Sequence, residues 1–397
     1  MTAKCMMPYV EGSSAIREMF EAGSRMAAEI GAENVYDFSL GNPSLPAPKA
    51  VNQAIKDIVD QEDSVFIHGY NKSNSGYEDV RRTVAEHVNK LHGTSYDAKN
   101  IIMTVGAASG LNVAIKTLVD PGEEILAFAP YFVEYGNYAA NHGSVLFDVP
   151  AATETFQPNL QKMEEMITER TRAVIINSPN NPTGIVYSAE TLTALGEILT
   201  GKAAEFGAPI YIIADEPYRE LAYDDVDVPF VPNYYDNTVV GYSWSKSLSL
   251  PGERIGYLLL PDTMDDVDNA RAAANICNRV LGYVNAPTLI QRAVARCIEE
   301  KTDIASYDKN RQDLYRGLTD IGYQCAKPQG AFYLWVKTPI DDKEFCAKAK
   351  EFHILAVPGT SFACPGYVRL AYCVSNETIV NSLPAFEQLY EALTGGK

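Results

Sequence analysis

Chemistry-bearing clusters are scarce in this chain. Its seven cysteines (Cys5, Cys277, Cys297, Cys325, Cys346, Cys364, Cys373) are an odd number and no two form a CxxC. They read as free, mostly buried thiols of a reducing compartment rather than as a disulfide framework. The five histidines (His68, His87, His92, His142, His353) are scattered, without HExxH or a Cys/His cluster, so no metal site is expected. Positive charge is short: 33 Lys and Arg against 51 Asp and Glu leave a formal net charge of −18. Such a surface repels a phosphate backbone and excludes a nucleic-acid binder, although a local basic pocket for a small anion remains compatible with it. Long apolar runs are absent too; AVII and YLLL fall far short of a membrane span. The opening MTAKCMMPYVEGSS lacks a charged stretch followed by an apolar one, so no signal peptide is expected. Low-complexity tracts are missing, and 46% hydrophobic residues are too many for a disordered chain. A soluble, cytoplasmic protein is the expectation.

What is present is alternation. Val51–Val59 and Val80–Leu91 read as helices, NIIMTVG (from Asn100) as a strand, and SGLNVAIKTLVD as an amphipathic helix closed by Pro121-Gly122. EILAFAP, SVLFDVP, AVIINSP, IYIIADEP, TVVGYSWS and IGYLLLP read as further strands, apolar on both faces like those of a sheet covered by helices on both sides. This pattern predicts an α/β fold with a mostly parallel sheet. Residues 48–290 are expected to form a large domain. Residues 291–397, with a long helix pattern over Ala293–Leu318 and then GAFYLWVK, VPGTSF and VRLAYCV, read as a smaller α+β domain. The segment 1–47, including a helix over Ala15–Gly31, is expected to pack with it.

Ligands of open α/β sheets bind beyond the carboxyl ends of the strands, and each strand end here carries something usable. Gly106-Ala107-Ala108-Ser109 opens a helix whose amides suit a phosphate, or is a tight turn with a serine cap. Tyr131-Phe132 suits a planar ring or plain core. SPNNPTG presents the Asn180 and Asn181 amides on a turn. Asp215-Glu216-Pro217-Tyr218 puts a carboxylate where burial is costly without a cationic partner or cap. Ser243-Trp244-Ser245-Lys246 offers a candidate Schiff-base lysine, and Arg254 in PGERIGY could join Ser243 in a phosphate cup. Each signal alone has a bland explanation; in this order they are the parts needed to hold pyridoxal 5′-phosphate, with a carboxylate for the pyridine nitrogen and a lysine for the aldehyde.

With SPNNPTG, ADEPY, SWSK followed by ERIGY, PQGAFYLW and VRLAY, the chain resembles the fold-type I PLP-dependent enzymes, and among them the class I/II aminotransferases typified by aspartate aminotransferase. The likeness runs from SLGNP at Ser39 to VRLAYC at Val368. It implies a seven-stranded, mostly parallel sheet between helices in the large domain. It also implies that Lys246 is the Schiff-base and proton-shuttling lysine, that Asp215 pairs with the pyridinium nitrogen, and that Asn181 and Tyr218 donate to the ring oxygen. Phe132 would stack on the ring. The Ala107 and Ala108 amides, Ser243 and Arg254 would cup the phosphate, and Arg369 would clamp the substrate carboxylate with help from Asn181 and the Gly41 amide. Tyr70, in HGYNKSNSG, resembles the tyrosine that crosses a dimer interface to the partner's phosphate, which implies a homodimer. Gly76 stands one residue further from Tyr70 than the family spacing, as if one residue were inserted.

The implied activity is ping-pong transamination between an L-amino acid and a 2-oxo acid, in amino-acid biosynthesis or metabolism, with aspartate/2-oxoglutarate-like substrates as one option. Arg279 is a weak candidate for a cation facing a side-chain carboxylate and reads more simply as a helix-surface residue. A β-lyase or aspartate β-decarboxylase of the same fold is the alternative, since the motifs are shared. A non-enzymatic regulator domain is disfavoured, because the chain before Ser39 is short for a DNA-binding module and the net charge opposes it.

Overall fold

The structure, a computed structural model, describes residues 2–11 and 15–395. In chain order the strands are β1 (Tyr36–Asp37), β2 (Ile101–Thr104), β3 (Glu124–Phe128), β4 (Val145–Val149), β5 (Thr171–Asn177), β6 (Tyr211–Asp215), β7 (Thr238–Ser243), β8 (Gly256–Leu259), β9 (Gln324–Ala326), β10 (Tyr333–Lys337), β11 (Ile354–Leu355), β12 (Val357–Pro358) and β13 (Tyr367–Ala371). Seven of them build one sheet in the order β2-β8-β7-β6-β5-β3-β4. Only β8 runs antiparallel to its two neighbours; the remaining pairs are parallel.

Valine, isoleucine and leucine fill the central strands, and β3, β5, β6 and β7 are buried almost throughout. Helices pack on both faces and create one apolar core on each side of the sheet. Strand β4 departs from the expected two-sided cover: Val145 is 47% and Phe147 40% exposed. It is one of the sheet's two edge strands; the other, β2, is buried throughout, so an edge position alone does not expose a strand here. A helix such as Ala189–Phe206 shows how local chemistry sets the bounds: the Ser188 Oγ accepts from the Thr191 amide at its start, and Gly207 at φ +67° ends it.

A second core gathers Phe38, Tyr218, Leu221, Tyr307, Phe332, Tyr333, Leu334 and Phe386 around the four-stranded antiparallel sheet β12-β13-β10-β9. Strand β1 of the early segment pairs in parallel with β11.

The single helix expected over Ala293–Leu318 is two helices, Thr288–Arg296 and Ile304–Ile321. Asp303 caps the second by accepting from the Ser306 amide, and between the two the Thr302 amide donates to the Ser247 carbonyl. A tertiary contact and a cap thus interrupt a helical periodicity that runs on in the sequence. Ile290, Val294 and Cys297 pack in the larger core, which therefore extends past residue 290. Cys277, Cys297, Cys325, Cys346, Cys364 and Cys373 are free thiols; the Cys5 side chain lies outside what is described. No described helix is long and apolar enough to cross a membrane.

Candidate active site

The carboxyl ends of the parallel strands face the smaller core across a cavity of about 290 Å³. It is lined by Gly41, Ala107, Ala108, Phe132, Asn181, Asp215, Tyr218, Ser243, Lys246, Arg254 and Arg369, so all the predicted cofactor and substrate residues except Tyr70 meet there. A larger cleft of about 790 Å³, between residues 153–157 and 324–329, contains none of them. Volume is therefore a poor guide here, and the convergence of polar groups marks the site.

One end is built for an anion. Thr104 and Ser109 both donate side-chain hydroxyls to the Gly106 carbonyl, each at 3.0 Å. Gly106 sits at φ +79°, and a Cβ there would come 2.7 Å from the Arg254 guanidinium. The helix Ala107–Leu118 starts at this point with no side-chain cap, so its first amides point at the cavity with nothing of the chain's own to bind. Ser243, at the end of β7, closes the rim; its Oγ lies 2.6 Å from Ser245 Oγ and caps the short helix Trp244–Ser247.

A second strand end in the cavity lining carries a carboxylate. Asp215 ends β6, is 5% exposed, and accepts from the Tyr135 hydroxyl at 2.7 Å through Oδ2. Its Oδ1 is buried and has no partner. Burial pushes the carboxyl up to about 7, the Tyr135 hydrogen bond working against that and the Glu216 charge with it. Asn177 clamps the same strand end by donating to the Asp215 carbonyl at 2.7 Å. Phe132 stands edge-on to Tyr135, with ring centroids 5.7 Å apart.

Lys246 lines the same cavity. Its Nζ donates to the Gly41 carbonyl at 2.7 Å, and burial lowers its pKa to about 8, with the Arg369 and Arg254 charges adding to the effect. Arg369, in β13, is buried; it donates to Asn181 Oδ1 at 3.1 Å and to the Ser39 carbonyl at 2.6 Å, while its Nε is unpartnered. Tyr218 and Tyr333 share a hydroxyl pair at 2.8 Å, and the Arg369 guanidinium lies 4.6 Å from the Tyr333 ring centroid. Both phenol groups are raised by burial, Tyr333 to about 12.

Tyr70 is elsewhere. It is 92% exposed and borders a separate hollow of about 240 Å³ with residues 283–288. The loop beyond it is well tied: Asn74 donates to the Val284 carbonyl, Asn285 to that of Ser73 and Asn278 to that of Asn74. Arg279 is exposed at the end of the helix Val267–Val280 and is not among the cavity residues. Asn177, Tyr135, Tyr138 and Tyr333 are among the cavity or supporting residues that the sequence did not single out. Asn177 was absorbed into a strand. Tyr135 and Tyr138 look like ordinary helix residues, and Tyr333 sits inside an apolar strand. Only the polar end of an otherwise apolar strand offered a signal, for Asn177.

The empty valences suit a phosphorylated pyridine aldehyde: an orphaned carboxylate oxygen for a ring N–H, uncapped helix amides for the phosphate, and a near-neutral amine for the aldehyde. Comparison with known proteins points the same way. The chain matches the model for "Aminotransferase class I and II" over residues 33–385. An amino transferase of Eubacterium rectale, solved by crystallography, superposes with a TM-score of 0.97 at 50% identity, covering 99% of both chains. Aspartate aminotransferase of Thermotoga maritima is 31% identical over 362 residues, 89% of this chain and 91% of that one. The Thermus thermophilus aspartate aminotransferase solved with maleate has a TM-score of 0.84 at 27% identity, covering 95% of this chain and 97% of its own. The chain belongs to the class I and II aminotransferases and is a PLP-dependent transaminase.

Proposed function

We propose that this cavity is where the transaminase binds pyridoxal 5′-phosphate and exchanges an amino group between an L-amino acid and a 2-oxo acid, dicarboxylic pairs of the aspartate/2-oxoglutarate kind among them. The observation that carries the reading is the unpartnered, buried Asp215 Oδ1 in the cavity that Lys246 also lines. An unpaired carboxylate oxygen in that position costs free energy unless a donor such as a pyridinium N–H completes it. Bound there, the cofactor would supply an electron-withdrawing ring that stabilises negative charge at the substrate α-carbon.

The chain's own residues do the rest. Asp215, held by Tyr135 and Asn177, keeps the ring nitrogen protonated. The Ala107 and Ala108 amides, Ser243 and Arg254 hold the phosphate. Phe132 supports the ring face, and Asn181 and Tyr218 donate to the ring oxygen. Lys246 becomes mostly free amine above pH 8, so it can take the aldehyde and, once displaced, carry the α-proton at Nζ. Arg369 offers its unpartnered Nε to the substrate carboxylate, with Asn181 and the Gly41 amide beside it. Holding that carboxylate would fix which bond of the α-carbon is activated once the cofactor is bound, and would favour deprotonation over decarboxylation. Tyr70 and its exposed neighbours Val65 and Phe66 belong to a homodimer interface in this reading, with Tyr70 reaching the partner's phosphate. Amino-acid metabolism in the cytoplasm is the corresponding setting, with residues 48–290 as the cofactor-binding domain.

The test uses purified holoprotein and one amino acid at a time, with no oxo acid added. Cofactor absorbance and mass spectrometry of cofactor and products are followed. Conversion to pyridoxamine phosphate with the matching 2-oxo acid is the expected outcome, with aspartate and glutamate as the first donors. Unchanged PLP with steady release of pyruvate and ammonia, or of alanine, would reject it.

A further inference from the structure

We propose that Tyr333 is a positioning residue for the reaction: its hydroxyl donates to Tyr218 and thereby turns the Tyr218 proton into the cavity. The inference rests on the reading that Tyr218 faces the cofactor's ring oxygen.

The argument is one of proton placement. The two phenol oxygens are 2.8 Å apart, both residues are buried and both line the cavity. Each brings one proton, and only one of the two can lie between the oxygens. If Tyr218 donated, the Tyr333 proton would need another acceptor. Among the described residues, the Tyr333 hydroxyl hydrogen-bonds to the Tyr218 hydroxyl. Gly41 stands so close that a Cβ there would collide with the Tyr333 hydroxyl and ring. The Gly41 carbonyl already accepts from Lys246, and the guanidinium over the ring face repels a proton. If Tyr333 donates, its proton lies between the phenols and the Tyr218 proton is left for an acceptor in the cavity. An acceptor oxygen in the cavity selects this second arrangement.

Tyr333 therefore has two separable parts. Its ring supports Arg369 from one side, and its hydroxyl strengthens Tyr218 as a donor. A stronger donor at the ring oxygen drains negative charge from it and makes the neighbouring lysine–cofactor nitrogen easier to deprotonate. Removing the Tyr333 hydroxyl reverses this and raises the pH at which that nitrogen loses its proton.

The experiment is a pH titration of the absorbance of the holoenzyme, in the unmodified protein, Tyr333→Phe, Tyr218→Phe and the double variant. Tyr333→Phe is expected to raise the midpoint by about 0.5–1 pH unit, the worth of one net hydrogen bond. Because it keeps the ring on Arg369, it should lower kcat while KM for the amino acid stays within about twofold, whereas Tyr333→Leu raises KM as well. On the Tyr218→Phe background the second substitution should move the midpoint little, since the effect runs through Tyr218. An unchanged midpoint in Tyr333→Phe, or the same shift with and without Tyr218, overturns the inference while leaving the functional reading intact. An unmodified protein that binds PLP without a titrating band overturns the Tyr218 assignment itself, and this inference with it.

Discussion

Two walls of one cavity are built in different ways. On the cofactor side, Ala107, Asp215 and Ser243 stand at or just after the ends of β2, β6 and β7, so sheet topology alone brings them together. On the substrate side, Arg369 sits in the middle of β13, and its position depends on side-chain bonds to Asn181 and to the Ser39 carbonyl. The first wall is held by backbone, the second by one long buried side chain that ties the two cores to each other. The cofactor wall should therefore tolerate loosening of the smaller core better than the substrate wall does.

The largest effect expected is on the lysine of the cavity, Lys246. Lys246→Ala should lower kcat by about 10³-fold or more, because a general acid–base group of this kind contributes about 10²–10⁴. The variant should still bind the cofactor reversibly, with the cup and Asp215 intact; equilibrium dialysis and activity assays measure both. Complete loss of cofactor binding would show that the cofactor wall does not stand alone.

Next comes Arg369→Ala. Truncating one partner of a buried, hydrogen-bonded charged network typically costs about 2–5 kcal/mol. Here that cost should appear as a KM raised on the order of 10²-fold, with cofactor affinity little changed. A matching fall in cofactor affinity would break the distinction between the walls.

The smallest effect concerns the apoprotein. Asp215 is raised to about 7, above its unfolded value near 3.8, so the folded form holds its proton to higher pH than the unfolded form. The favourable contribution of this group is complete at low pH and is lost as pH rises through about 7. Asp215→Asn removes that loss. The Tm of the apo variant relative to the unmodified apoprotein should therefore climb between pH 4 and 7 and level off above, by a few degrees at about 1 °C per kcal/mol for a chain of this length. A flat difference across that range would mean the carboxylate is already paired in the apoprotein, against its orphaned oxygen.

The same contrast explains what could be read in advance. Strand ends were legible because each motif follows an apolar run: Asp215 closes YIIAD and Lys246 follows TVVGYS. The order of motifs carried the family, and that resemblance supplied the Arg369 candidate, which periodicity alone would not have singled out. Tyr333 and Tyr135 escaped because a tyrosine in an apolar strand or a helix looks like core, and only neighbours distant in sequence give its hydroxyl a task. The break between the helices Thr288–Arg296 and Ile304–Ile321 escaped for a related reason, since its partner, the Ser247 carbonyl, is far away in sequence.

By itself, then, the sequence determined the alternating elements, the layer type and the residues offered at each strand end, because these follow from local periodicity and from where apolar runs stop. Tertiary structure alone decided which of those groups remain unpaired and which are satisfied by one another. Asp215 Oδ1 is left orphaned, Lys246 is drawn to the Gly41 carbonyl, and Tyr218 is matched with Tyr333. The physical reason is that burial and hydrogen bonding set the state of a polar group, and both come from residues far along the chain.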